Sequence, residues 1–190
     1  NAAAYTAVDQ AEVNEGLTIT INAVAPTEMA KAAAARGLPF LHVSTDYVFD
    51  GSGSAPRIPE EPTAPINAYG RSKLAGEHGV VASGGTYAIL RTSWVFSAHG
   101  ANFVKTMLRV GKQRDRLTVV DDQLGRPTDA TDLGNGIILA GHHALTKDAD
   151  WGTYQFSNSG DPVTWCGFAR EIFAKAAPWF GEGPEVVGIP

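Results

Sequence analysis

The sequence is short of several things, and each shortage excludes something. One cysteine, Cys166, stands among 190 residues, so no intrachain disulfide can form and a four-cysteine zinc site is impossible. A reducing, cytoplasmic setting is the resulting expectation. Only 18% of residues are charged, and the 15 basic ones are outnumbered by 20 acidic ones for a net charge of −5. A binder of the nucleic-acid backbone needs a basic surface, so no nucleic-acid partner is expected. No apolar run approaches the ~20 residues of a membrane-spanning helix, and no leader or lipidation pattern is visible, so no membrane partner is expected either. Internal repeats and low-complexity segments are also missing.

What is present is 44% hydrophobic residues, enough for one compact unit with a core. Helix-like and strand-like stretches alternate, the pattern of a parallel sheet flanked by helices. A first long helix is expected from about Asn14 or Asn22 to Arg36, stopped by Gly37 with Pro39 beyond it. Residues 38–43 read as a buried strand ending at Ser44-Thr45. Ligands of open α/β sheets bind outside the carboxyl ends of strands, which places Thr45-Asp46-Tyr47 at a crevice. Residues 50–65, rich in Gly, Ser, Pro and Glu, read as a surface loop able to act as a lid. Asn67 is the expected N-cap of a helix through about Val81, in which Gly70, Gly76 and Gly79 each cost about 1 kcal/mol against Ala and let a neighbour approach closely. Residues 87–90 and 117–120 read as second and third buried strands. Asn102 is expected to cap a helix through Arg109, Thr128 or Asp129 another through Leu145, and Thr164 a third that carries Trp165, Phe168, Ile172 and Phe173. A final strand begins near Val187.

Chemistry concentrates in Tyr69-Gly-Arg-Ser-Lys73, a phenol and an ammonium four positions apart on one helix face. A phenol titrates near pH 10, and a neighbouring cation lowers that value by favouring phenolate. Lys73 is the expected cation. If Asn67 caps the helix, Tyr69 also lies in the first turn, where the helix dipole acts in the same direction. On an exposed helix such a pair is usually a surface Tyr beside a solvated Lys. Thr45, at the end of a buried strand earlier in the chain, is what raises this one above that reading.

Three segments, Val43-Ser-Thr-Asp-Tyr-Val-Phe-Asp-Gly51, Tyr69-Gly-Arg-Ser-Lys-Leu-Ala-Gly-Glu77 and Leu90-Arg-Thr-Ser-Trp-Val95, closely resemble the dTDP-4-dehydrorhamnose reductase family of extended short-chain dehydrogenase/reductases. Asn1-Ala-Ala-Ala-Tyr-Thr-Ala-Val-Asp9, Asn102-Phe-Val-Lys-Thr-Met-Leu-Arg109 and Asp122-Gln-Leu-Gly-Arg-Pro-Thr128 extend the match over nearly the whole chain. The resemblance implies an α/β fold with a Rossmann-like doubly wound parallel sheet, incomplete at its N-terminal side, and a small C-terminal substrate-binding lobe. Residues 1–125 would be the partial NAD(P)-binding domain and residues 126–190 mainly the substrate lobe, intertwined with it. It further implies reduction of dTDP-4-dehydro-β-L-rhamnose to dTDP-β-L-rhamnose by NADPH or NADH. Tyr69 would protonate the nascent alkoxide, Thr45 would give that oxygen a second hydrogen bond, and Lys73 would lower the Tyr69 pKa and hold the nicotinamide ribose. Ala4, Tyr5 and Thr6, with Tyr69 and Lys73, match the cofactor-binding positions, while Thr45, Asp46 and Trp94 match substrate contacts. Arg91, Lys105, Arg109 and Arg126 are candidates for the nucleotide diphosphate. Mg²⁺ at a subunit contact and a homodimer are allowed by the family, and no metal site is placed.

Other features have plainer readings. His142 and His143 point about 100° apart on a helix and do not easily share a metal. Glu60-Glu61 and Asp121-Asp122 need only be solvated, and Cys166 is expected to pack. Arg57 stands where the family often has Tyr. Related nucleotide-sugar 4,6-dehydratases and 4-epimerases share the Thr, Tyr and Lys, but the dehydratases follow Thr with Asp-Glu, and Tyr47 follows Asp46 here. A regulatory subunit of the methionine adenosyltransferase type, binding NAD(P) without turnover, is the alternative from another class. No Gly-rich strand-turn-helix opens the chain, which begins without methionine. About 60 further N-terminal residues and a C-terminal piece are therefore expected in the complete protein. The 190 residues alone would lack half of the cofactor site and would expose a sheet edge that favours association.

Overall fold

A computed structural model describes residues 1–143, 145 and 151–190. Along the chain run α1 (Val8–Val13), α2 (Glu15–Ile19), a π-helical turn (Thr20–Val24), α3 (Ala25–Ala34), β1 (Phe40–Thr45), a 3-10 turn (Asp46–Val48), α4 (Ala68–Ala82) and β2 (Tyr87–Thr92). Then come β3 (Val95–Phe96), α5 (Phe103–Gly111), β4 (Arg116–Val120), β5 (Leu124–Gly125), β6 (Thr128–Asp129), α6 (Ala130–His143), β7 (Gly152–Phe156), β8 (Val163–Thr164), α7 (Trp165–Phe180) and β9 (Glu185–Ile189). The chain forms two units, Asn1–Thr92 with Gly134–Phe156, and Ser93–Leu133 with Ser157–Pro190. Where the sequence suggests one boundary after residue 125, the chain passes between units three times, because β7 returns to pair beside β2.

The first unit holds a parallel sheet in the order β1-β2-β7, with Phe40 to Thr45 in register with Tyr87 to Thr92. Asn1 extends it on the far side of β1, its carbonyl accepting from the Val43 N–H at 3.0 Å. Ala30 of α3, Val80 of α4 and Ile89 of β2 form a core cluster under Phe40 and Tyr87. The expected long helix is present but interrupted. Pro26 carries no N–H to return to the Asn22 carbonyl, and the π turn sits just before it. Gly76 meets the backbone at that point, and a Cβ there would collide with the Asn22 carbonyl. The glycines of α4 therefore do allow close approach.

In the second unit β4 pairs with β9 in parallel, β3 with β6 in parallel and β5 with β8 antiparallel. The expected third buried strand is β4, but it alternates buried and exposed residues and lies outside the three-stranded sheet. Leu117 and Val119 pack with Cys166, Ala169 and Phe173 of α7. The predicted caps hold: Asn67, Asn102 and Thr164 accept from Gly70, Lys105 and Gly167 N–H groups at 2.7, 3.1 and 2.9 Å. Asp129 accepts from Thr131 N–H at 2.6 Å at the start of α6, which ends at His143; residue 144, on the way to Leu145, lies outside the described residues.

Candidate active site

Strand β1 delivers Thr45 to its carboxyl end, and α4, started by Asn67, delivers Tyr69 in its first turn and Lys73 one turn later. The Thr45 side chain acts on the Tyr69 phenol, pulling its pKa downward. Thr45 Oγ1 accepts from the Tyr47 N–H at 3.2 Å and donates to Asp46 Oδ1 at 3.1 Å. The Tyr47 ring meets Tyr69 edge-on, with centroids 5.6 Å apart. Thr45, Asp46 and Tyr47 thus form one hydrogen-bonded turn beside Tyr69.

Lys73 is 2% exposed, and its ammonium donates to the Val43 carbonyl at 2.7 Å. Burial pulls its pKa down to about 8, against a pull upward from Glu77. The expected tuning of Tyr69 by Lys73 is not what the structure shows. Burial first, and then the charges of Asp46 and Tyr47, push Tyr69 up to about 12, while only the Thr45 side chain acts downward. The lysine's charge is spent on a backbone carbonyl, and the phenol stays protonated at neutral pH. Burial also raises Asp46 to about 6, opposed by its bond from Thr45.

The segment of Ala4, Tyr5 and Thr6 is held by a residue that motif reading passed over. Asn22, 1% exposed on the π turn, accepts from the Tyr5 N–H at 2.8 Å and donates to the Tyr5 carbonyl at 3.0 Å. It also donates to Ser72 Oγ at 3.0 Å, which ties this segment to α4 between Tyr69 and Lys73. The sequence offers Asn22 only as a possible start of the first long helix, and beside Thr18 and Thr20 nothing marks it as a tether. His42 on β1 is similarly hidden, with Nδ1 3.2 Å from the Asn1 side-chain amide and Nε2 without a partner. Burial drops its pKa to about 3, so it is neutral.

The basic candidates separate clearly. Arg91 is buried and bonds Glu77 from Nε at 3.0 and 3.2 Å and from Nη2 at 2.7 Å, which removes it from the diphosphate candidates. Lys105, Arg109 and Arg126 belong to the second unit, as does Trp94. Lys105 donates to the Ala98 carbonyl at 3.2 Å. Trp94 takes a positive φ of 48° and stacks on Trp165 with centroids 3.5 Å apart. Arg57, in the loop after the 3-10 turn, pairs with Glu61 at 2.9 Å and Asp50 at 3.1 Å. Glu60 and Glu61 are thus not alike, since Glu61 is engaged. Among the described residues, no three His, Cys, Asp or Glu side chains group to hold a metal ion, and no helix is long and apolar enough to cross a membrane.

Parallel strands with helices between them, and a Thr, Tyr and Lys gathered at one strand end, define a Rossmann-like α/β protein. The chain belongs to the family described as the RmlD substrate binding domain, which matches residues 1–183. It is 45% identical over 174 residues to a dTDP-4-dehydrorhamnose reductase of Sinorhizobium fredii, covering 90% of this chain and 58% of that one. A dTDP-4-dehydrorhamnose reductase of Escherichia coli is 44% identical over 176 residues, 93% of this chain and 58% of the relative. The crystal structure of the Bacillus anthracis dTDP-4-dehydrorhamnose reductase in complex with NADP superposes with a TM-score of 0.86 at 41% identity, covering 98% of this chain and 63% of that one. That of the Clostridium acetobutylicum protein gives 0.89 at 37% identity, with 98% and 63% covered. The chain spans a little under three fifths of the length of these two curated relatives.

Proposed function

We propose that the protein reduces the 4-keto group of dTDP-4-dehydro-β-L-rhamnose to dTDP-β-L-rhamnose with NADPH or NADH. The observation that carries this is the gathering of Thr45, at the carboxyl end of β1, with Tyr69 and Lys73 of α4, Lys73 being bonded to the Val43 carbonyl of that same strand. Relatives named for this reaction, and a solved relative that binds NADP, support it.

The donor set suits the cofactor: a phenol, an ammonium and the backbone of Ala4 and Thr6, on a segment held through Tyr5 by Asn22, would offer hydroxyl, cationic and amide groups to a ribose and carboxamide. The nicotinamide, when bound, supplies the hydride that reaches C4 of the sugar. Negative charge then develops on O4. Thr45, turning its hydroxyl from Asp46, would donate a hydrogen bond to that oxygen, Tyr69 would transfer its proton there, and the phenolate left behind would be reprotonated from solvent. A phenol raised to about 12 is fully loaded with its proton at neutral pH, as the reductive direction requires. Lys73 would hold the ribose. Asp46 and Trp94 are assigned to substrate contact, the former by a carboxylate suited to sugar hydroxyls. The cofactor role is assigned to the unit of Asn1–Thr92 with Gly134–Phe156, and the substrate role mainly to that of Ser93–Leu133 with Ser157–Pro190. A cytoplasmic setting accords with the single cysteine, which is buried and not disulfide-bonded. The assembly is assigned as a homodimer, which light scattering tests.

The test is turnover by the protein at its native length. Oxidation of NADPH or NADH with dTDP-4-dehydrorhamnose, matched mole for mole by dTDP-rhamnose, is the expected result. Cofactor binding with no consumption of the ketosugar would overturn the proposal.

A further inference from the structure

Glu77 ends the motif that begins at Tyr69, and the chemistry above gives it no task. It lies four residues beyond Lys73 on α4, and its side chain is 4% exposed. Its carboxylate is a junction. Oε1 accepts from Ser44 Oγ at 2.5 Å and from Arg91 Nε at 3.0 Å, and Oε2 accepts from Arg91 Nη2 at 2.7 Å. Arg91 reaches onward, donating from Nη1 to the Pro59 carbonyl at 3.1 Å and lying 5.2 Å from the Phe49 ring centroid. A buried ion pair is a poor route to stability, because desolvating both charges offsets their attraction and an apolar pair of the same volume often does as well. A pair retained beside reacting groups calls for another explanation.

We propose that Glu77 is a positioning residue for Thr45, Tyr69 and Lys73: through Ser44 it fixes the end of β1 that carries Thr45, through Arg91 it fixes β2 and the 49–59 segment, and along α4 it sets a negative charge against the Lys73 ammonium. The proposal rests on the reductase reading above for its effect on turnover, but not for its effect on Lys73. Several groups face Lys73. From β1 come the Val43 carbonyl at 2.7 Å and His42, which is neutral, and beyond it lies the amino group of Asn1. From its own helix comes Glu77, whose charge works against the burial that lowers the lysine. Arg91 on β2 is bound to that same carboxylate. Taking the charge from Glu77 leaves burial unopposed, so the Lys73 pKa must fall further and less ammonium remains at neutral pH.

The experiment is a titration of isotope-labelled lysine by NMR in the protein at native length, with Lys73→Ala identifying the resonance. In the parent the Lys73 midpoint is expected near 8. Glu77→Gln is expected to lower it by roughly one unit, and Glu77→Asp to restore most of that shift. Ser44→Ala keeps the charge and removes one tether, so it should leave the midpoint in place while lowering kcat roughly tenfold with little change in KM. A Lys73 midpoint unmoved in Glu77→Gln, or full kcat in Ser44→Ala, overturns the proposal. Should Glu77→Gln fail to fold, the Ser44→Ala result and the Glu77→Asp titration decide it. A parent protein that never turns over the ketosugar would sink the reductase reading alone, since the titration would still report on Glu77.

Discussion

Helices α4 and α7 both start at a side-chain cap and both bury most of one side, yet they bury opposite things. The buried residues of α7 are Cys166, Ala169, Ile172, Phe173 and Ala176, a single apolar stripe at helical spacing. Those of α4 include Ser72, Lys73 and Glu77 beside Ala68, Gly70, Gly76 and Val80. The first is held by area removed from water, the second by named polar partners: Asn22 for Ser72, the Val43 carbonyl for Lys73, and Arg91 with Ser44 for Glu77. The difference teaches where stability and where geometry are spent. On the proposed function α4 presents a proton donor and a cation, which an ordinary apolar stripe could not do.

This contrast can be broken from either end. Phe173→Ala and Arg91→Ala should each cost about 3–5 kcal/mol in urea denaturation, the first by leaving a cavity and the second by stranding a buried carboxylate. They are expected to part in a second assay. Replacing Glu77 and Arg91 together by apolar residues should recover much of the stability and none of the turnover, and recovered turnover would refute a positioning role.

The next effect depends on pH. His42 has a folded pKa near 3 against 6.5 when unfolded, so below pH 6.5 the unfolded chain takes up a proton that the folded one refuses. Stability therefore falls as pH falls through that window. Between pH 6.5 and 5 the parent should lose about 2 kcal/mol relative to His42→Gln. Asp46, raised to about 6 by burial, works in the opposite direction in both proteins and cancels from the comparison.

The smallest effects come from the caps. Thr164→Ala and Asn67→Ala should each cost about 1 kcal/mol in melting experiments. Only the second is expected to lower turnover, because Asn67 starts the turn that carries Tyr69. Equal turnover in both would mean that the cap does not set the position of the phenol.

Much of this was legible in advance, for local reasons. Asn67, Asn102 and Thr164 cap through bonds to N–H groups three residues on, so sequence spacing is enough to find them. Strand β2 is a short run buried on both faces and β1 one buried mainly on the face of His42 and Ser44, and Thr45 follows from where β1 ends. What was hidden is tertiary. The π turn before Pro26 arises from one missing N–H and from the approach of Gly76. Strand β7, with Tyr154 and Gln155 exposed, has no apolar run to announce it. Lys73 stands four residues from Tyr69 as a tuning cation should, but the Val43 carbonyl that claims it is 30 residues away. Arg91 looked like a diphosphate ligand for the same reason, since its sequence neighbours do not reveal that Glu77 lies opposite.

The central claim is that Tyr69 delivers the proton. Its most direct test compares Tyr69→Phe with the parent at native length, following NADPH oxidation by dTDP-4-dehydrorhamnose alongside cofactor affinity. The account predicts a loss of turnover of at least about 10²-fold with cofactor affinity kept within about twofold. Turnover near that of the parent would contradict it.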